Sequence, residues 1–285
     1  MTRLIALIDG STYAQSVCDH AGWAAPRIGA SIELMHVLGR RDVPGAPADF
    51  SGSIGVDARD TLLAELADLD AQRSRLAQRR GRLMLEDAKR RLTDAGVADV
   101  ATRLRHGDLL DAVHEFEAQA DLVVIGKRGE AADFAKLHLG SNLERVVRAC
   151  RKPVLVASRA FKPIRRFLIA FDGGPSIMRA IDHVVGSGLF AGLECRLLMA
   201  GESDDRTARQ RLDAAAARLT DGGFSVEPAL RPGQPDAVIA EAVEAGSVDL
   251  LVMGAYGHSR IRSLIIGSTT TEMVRSCLVP VLLYR

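Results

Sequence analysis

Short, nearly continuous apolar runs recur along the chain: LIALI at 4–8, IELMHVL at 32–38, LVVIG at 122–126 and PVLVA at 153–157. Runs this short and this apolar fit strands buried on both faces. Segments of helical length with apolar positions on one stripe separate them, so the pattern alternates strand and helix and predicts βαβ units in a parallel sheet. Residues 39–55, GRRDVPGAPADFSGSIG, are rich in Gly, Pro and Ser and read as a loop. From Asp57 to about Ala95, Leu62, Leu66, Leu69, Leu76 and Leu83 stand at helical spacing with charges between them. That stretch reads as one long amphipathic helix or a helical pair.

The pattern occurs twice. RLIALIDGS at 3–11 returns as RFLIAFDGG at 166–174, and ADLVVIGKRG at 120–129 returns as VDLLVMGAYG at 248–257. VVRACRKPVLV at 146–156 returns as MVRSCLVPVLL at 273–283, and LRHGDLLDAV is matched by LRPGQPDAV. Four matched blocks in one order imply a duplicated domain. The expected units are 1–158 and 164–285, joined by a short basic, Pro-containing linker near Arg159–Pro163. Asp9 and Gly126 are 117 positions apart and Asp172 and Gly254 are 82 apart, so the first copy carries about 35 extra residues, a helical insertion at about 40–91. Each copy reads β-α-β-α-β-α-β-α-β, which predicts two tandem doubly wound five-stranded parallel sheets of flavodoxin-like layout. The final strands, PVLVAS and PVLLYR, would be apolar edges in isolated copies; they are expected to pair with each other about a pseudo-twofold axis.

The length of 285 residues suits two domains. A formal net charge of +1 argues against a nucleic-acid binder. No run of 18 apolar residues and no signal peptide appear, so no membrane partner and a cytoplasmic location are expected. Cys18, Cys150, Cys195 and Cys277 lie far apart without a CxxC pair and read as free, buried thiols rather than metal ligands. Arg73 to Arg91 reads as a solvated helix surface, with a binding face as the alternative; the long helix is also a candidate surface for homodimerisation.

Candidate chemistry concentrates at strand ends. In a doubly wound sheet ligands sit beyond the carboxyl ends of the strands, where strand order reverses. Asp9 and Asp172 follow the first strand of each copy, and Gly126 and Gly254 end the fourth. If these strands are neighbours, both features face one crevice. The second copy continues GAYGHSRIRSLIIGSTT: Gly254 and Gly257, nine residues, then Gly267, Ser268 and Thr269 opening a helix. Glycines let backbone N–H groups approach an anion, and a helix start offers unpaired donors and a positive dipole end. His258, Arg260 and Arg262 add positive charge, with no acid in the loop. The first copy has Gly126, Gly129, Gly140, Ser141 and Asn142 in a similar array, but with ten intervening residues and with Glu130 and Asp133 inside the loop, so it is the weaker phosphate site. Read without phosphate, the glycines form turns and Ser or Thr caps the helix, as in the Ser141–Glu144 capping box. No P-loop and no Gly-x-Ser-x-Gly elbow occurs. Of the seven histidines, only His258 falls in a candidate site, and no catalytic or metal-ligating set is expected.

The Gly-x-x-Gly, nine residues, Gly-Ser pattern resembles that of the ATP-binding universal stress proteins, and the resemblance spans essentially the whole chain as a tandem member. It implies the HUP-like fold of that family and ATP as ligand, with or without Mg2+. It also implies adenine-side contacts from Asp172 and Asp9 and from the backbone near Ala200 and Val37. For role it implies stress tolerance and ATP-dependent regulation with at most slow ATP hydrolysis. A slow ATPase, or a nucleotide-free tandem domain that binds another small molecule or a protein, are the alternatives.

Overall fold

The structure is a computed structural model that describes residues 2–39, 56–129, 141–202, 204–245, 248–255 and 268–285. The first half runs β1 (Thr2–Leu7), α1 (Ala14–Ile28), β2 (Ala30–Leu38), α2 (Val56–Asp94), β3 (Val100–His106), α3 (Leu109–Glu117), β4 (Leu122–Gly126), α4 (Ser141–Ala149) and β5 (Val154–Ala157). The second half repeats this order: β6 (Arg166–Ala170), α5 (Pro175–Gly186), β7 (Glu194–Ala200), α6 (Arg206–Asp221), β8 (Val226–Arg231), α7 (Pro235–Ala245), β9 (Leu250–Gly254), α8 (Ser268–Ser276) and β10 (Val281–Tyr284). The helical insertion is one helix of 39 residues rather than a pair. GSGLFA at 186–191 is a helix end followed by a 3-10 turn at Gly188–Phe190.

The ten strands among the described residues form one sheet in the order β3-β2-β1-β4-β5-β10-β9-β6-β7-β8. Within each half every pairing is parallel; the two halves join by antiparallel pairing of β5 with β10, with Leu155 opposite Leu282 at its centre. The apolar final strands thus cover each other, as their exposure alone would have demanded. Side chains alternate between two core layers. Leu4 and Ala6 belong to the layer that also holds α1, α2, α5 and α6, whereas Ile5 and Leu7 belong to the layer that holds α3, α4, α7 and α8. The outermost strands β3 and β8 are the least buried and the most polar, and β8 tolerates Pro228 at the sheet edge.

The linker is held by the first copy. Ser16 Oγ donates to the Ser158 carbonyl at 2.7 Å, and Phe161 meets the His20 ring edge-on with centroids 5.0 Å apart. Among the described residues, no helix is long and apolar enough to cross a membrane.

Candidate functional site

β1 lies between β2 and β4, and β6 lies between β7 and β9, so strand order reverses at equivalent places in the two halves. At each place the sheet opens into a crevice beyond the strand ends. In the second half it is a cavity of about 550 Å³ lined by Phe171, Asp172, Ala200, Gly254, Ser268 and Thr269, among others.

Asp172 stands two residues beyond β6. Its Oδ1 accepts the Gly174 N–H at 2.8 Å, closing an Asx turn that leads into Pro175, the first residue of α5. Gly173 takes a φ of 71°, a left-handed conformation that a glycine adopts without strain. The aliphatic stem of Arg211, from α6, lies over this glycine and brings a cation into the cavity wall. Ala200 ends β7 on the opposite side of the opening.

The third wall is the start of α8. The Thr270 hydroxyl donates to the Gly254 carbonyl at 3.0 Å and ties the first turn of the helix to the end of β9. The first turn carries no acidic residue, so its unpaired N–H groups present an uncompensated positive end. Gly257, His258, Arg260 and Gly267 lie outside the described residues.

The first half repeats the frame with a different result. Asp9 Oδ1 accepts the Ser11 N–H at 3.0 Å in the same Asx turn. The cavity is only about 80 Å³, lined by Asp9, His36, Val37, Gly126, Gly129 and Asn142, with apolar residues between them. Gly129 sits directly over Asp9; a Cβ there would come within 3.1 Å of Asp9 Oδ2. Lys127, the cation that follows Gly126, donates instead to the Cys277 carbonyl of the second half at 2.6 Å, and burial lowers its pKa to about 8. The first turn of α4 carries Glu144, which opposes an anion at that helix start. Ser141 begins α4, and Gly140 lies outside the described residues.

Three residues escaped the sequence reading. Arg211 looked like any charge on a solvated helix, and Thr270 like an ordinary residue within a first turn. His36 corrects the expectation that only His258 belongs to a site: it lines the first crevice, with Nδ1 2.8 Å from the Ile8 carbonyl. Its place two residues before the end of β2 was the available signal. The four cysteines are buried and free as expected, and burial pushes the thiols of Cys18, Cys150 and Cys195 up to about 12, which keeps them protonated and unreactive. Among the described residues no cluster of His, Cys, Asp and Glu could hold a metal.

Comparison with known proteins gives one consistent answer. The profile of the universal stress protein family matches residues 1–158 and 191–285. A universal stress protein of Synechocystis is 36% identical over 287 residues, covering 100% of both chains. One from Mycolicibacterium smegmatis is 22% identical and covers 98% of this chain and 95% of its own. Among solved structures, a universal stress protein from Archaeoglobus fulgidus superposes with a TM-score of 0.70 at 20% identity, covering 99% of this chain and 97% of that one.

Proposed function

This chain belongs to the universal stress protein family, and we propose that it is a cytoplasmic ATP-binding stress protein whose nucleotide sits in the second of two tandem units, 1–158 and 164–285. The observation that carries this reading is the roomy crevice of the second half, about 550 Å³ against about 80 Å³ in the first. Ligand cavities of a few hundred cubic ångströms suit a nucleotide, and the smaller one does not.

The residues present fit the ligand. The cavity is apolar around Phe171, Leu198, Met199, Ile239 and Met253, which suits a purine face. Asp172 and the backbone near Ala200 would take the adenosine side. The helix start at Ser268–Thr270 would take the phosphates, with Gly254, Gly257, His258, Arg260 and Gly267 completing that cradle. Asp172 is the one carboxylate among the lining residues described, so a Mg2+ ion would be held chiefly by the phosphates themselves. Occupancy of this crevice would bias the shape or partner of the protein, and so supply regulation.

Calorimetry of the full chain with ATP tests the reading. Micromolar affinity, about −8 kcal/mol, is expected for the parent. On this reading the backbone of the Gly254–Thr269 loop approaches the phosphates, so Gly257→Val should lose binding while the chain stays folded. Equal binding by Gly257→Val would remove the loop from the site. No heat at millimolar ATP with Mg2+ would move the assignment to the nucleotide-free alternative.

A further inference from the structure

The helix α2 is far longer than its counterpart α6, 39 residues against 16. Only its C-terminal part is seated on the sheet, through Gly81, Leu85, Ala88 and Leu92. From residue 60 to residue 80 no position is buried, a run of about 30 Å at 1.5 Å per residue. Most of a helix's stability in a protein comes from packing its apolar face, and this stretch has no buried face within the chain.

Its exposed side chains follow a rule. Leu62, Leu69, Leu76 and Leu83 recur at intervals of seven, with Leu66 between the first two. Leu69, Leu76 and Leu83 are 43%, 65% and 63% exposed, among the most exposed large apolar side chains described. Placed at the d positions of a heptad, these leucines put Leu66, Arg73 and Arg80 at a. The seated residues then fall at b and f, so the leucine seam points away from the body of the molecule. Charge is segregated along the same stretch. Residues 60–70 hold Asp60, Glu65, Asp68 and Asp70 and no base, whereas residues 71–82 hold Arg73, Arg75, Arg79, Arg80 and Arg82 and no acid.

We propose that this projecting half of α2 pairs with the same segment of a second copy as an antiparallel two-stranded coiled coil. The charge distribution selects both the partner and the direction. A parallel pair would stack Arg73 on Arg73 and Arg80 on Arg80 in the seam and set like-charged halves side by side. An antiparallel pair lays each acidic half on the arginine half of its partner. In the register that layers Leu66 on Leu76, Glu65 faces Arg79 at both ends and Gln72 faces its own copy across the twofold axis. Leu69 then meets Arg73, whose aliphatic stem covers the leucine while its guanidinium reaches the rim. The interface is isologous and closes as a dimer. It is independent of nucleotide, and of the β5–β10 seam inside one chain.

Sedimentation of the full chain tests this. The parent should sediment as a dimer at tens of micromolar, and Leu69→Glu with Leu76→Glu should weaken dimerisation by about a hundredfold or more. Because these positions are outside the core, the circular dichroism of the sheet and the core melting transition should persist in that variant. Arg79→Glu should weaken the dimer about tenfold, and Glu65→Arg added to it should restore the affinity. For direction, Gln72→Cys alone should oxidise to a covalent dimer. Glu65→Cys should cross-link only when mixed with Arg79→Cys, and the four buried native thiols do not compete. A parent that stays monomeric at tens of micromolar, a dimer indifferent to the leucine substitutions, or cross-linking through Leu69→Cys but not Gln72→Cys would each overturn the proposal; the last would mark a parallel coil, and capture of a different protein by a monomeric chain would assign the seam to that partner instead.

Discussion

The hydroxyl of Thr270 donates to the carbonyl of Gly254, 3.0 Å away and 16 residues earlier, and this single bond fixes where helix α8 begins relative to the end of strand β9. Thr270 is buried, so neither group can turn to water instead. Thr270→Val keeps the volume and removes the donor. It should cost about 1–3 kcal/mol of stability through the orphaned carbonyl. Loosening the phosphate end of the crevice should also weaken ATP binding by about tenfold, or ~1.4 kcal/mol. Chemical denaturation and calorimetry measured on the same sample check both effects; a stability loss without an affinity loss would detach the helix start from the ligand.

One nucleotide per chain is the expected stoichiometry. Asp9 and Asp172 make the same Asx turn, yet Asp9 lines a cavity of about 80 Å³, with Gly129 against it, and Asp172 lines one of about 550 Å³. Asp172→Ala should therefore lower ATP affinity by about tenfold or more, since a lost hydrogen bond to a charged group is worth about 1.5–3 kcal/mol. Asp9→Ala should leave the affinity unchanged. Two equal sites by calorimetry, or equal effects of the two substitutions, would contradict the asymmetry.

The frame was legible because it depends on local pattern. LVVIG and its neighbours are too apolar and too short for anything but strands buried on both faces, and the repeat of four blocks carried the topology of one half into the other. The exposed apolar edges of PVLVAS and PVLLYR predicted the β5–β10 pairing, because an unpaired edge of that kind must be covered. The difference between the crevices was legible only in part. The inserted residue and the acids of the first loop set the two copies apart in sequence, but the bond from Lys127 to the Cys277 carbonyl, 150 residues away, did not show there. Contacts of that separation leave no trace in local pattern. The same holds for Arg211, whose seat over Gly173 is decided by how α6 packs.

Gly81 supplies a test in which helix propensity and packing oppose each other. A glycine inside a helix normally costs about 1 kcal/mol relative to alanine. Here a Cβ would lie 2.8 Å from both His36 Cδ2 and Leu104 Cδ1, at the place where α2 crosses β2 and β3. Both neighbours are ring or branched-chain atoms held in the sheet layer rather than free chain ends, so overpacking of about 1–3 kcal/mol should win. Gly81→Ala should lower stability despite its better propensity, and the companion Gly81→Ala with Leu104→Ala should recover part of the propensity gain. A more stable single variant by urea denaturation would show that the helix can shift outward at no cost.

The last prediction concerns acid. His20 is fully buried in α1; burial lowers its pKa below the ordinary 6.5, against smaller opposing effects of the Ser16 carbonyl and the Asp19 charge. Its Nδ1 lies 2.6 Å from the Ser16 carbonyl, which requires a proton on that nitrogen, while Nε2 has no partner among the described residues. The ring is therefore neutral in the native state and takes up a second proton more readily once unfolded. His183 is shifted in the same direction by burial, with the Tyr284 hydroxyl 2.6 Å from its Nδ1. Below pH 6.5 the unfolded chain binds more protons than the folded one, so stability should fall as pH drops from about 6.5 toward the lowered native values. The slope is at most about 1.4 kcal/mol per pH unit for each ring, and it is absent above pH 7.5. Because His20 packs on Phe161, its protonation should loosen the linker as well as α1. His20→Leu deletes the titrating group and should flatten the dependence of the urea midpoint between pH 7 and 5, leaving a residual slope that His183→Asn removes. An unchanged slope in His20→Leu would place the acid sensitivity elsewhere in the molecule.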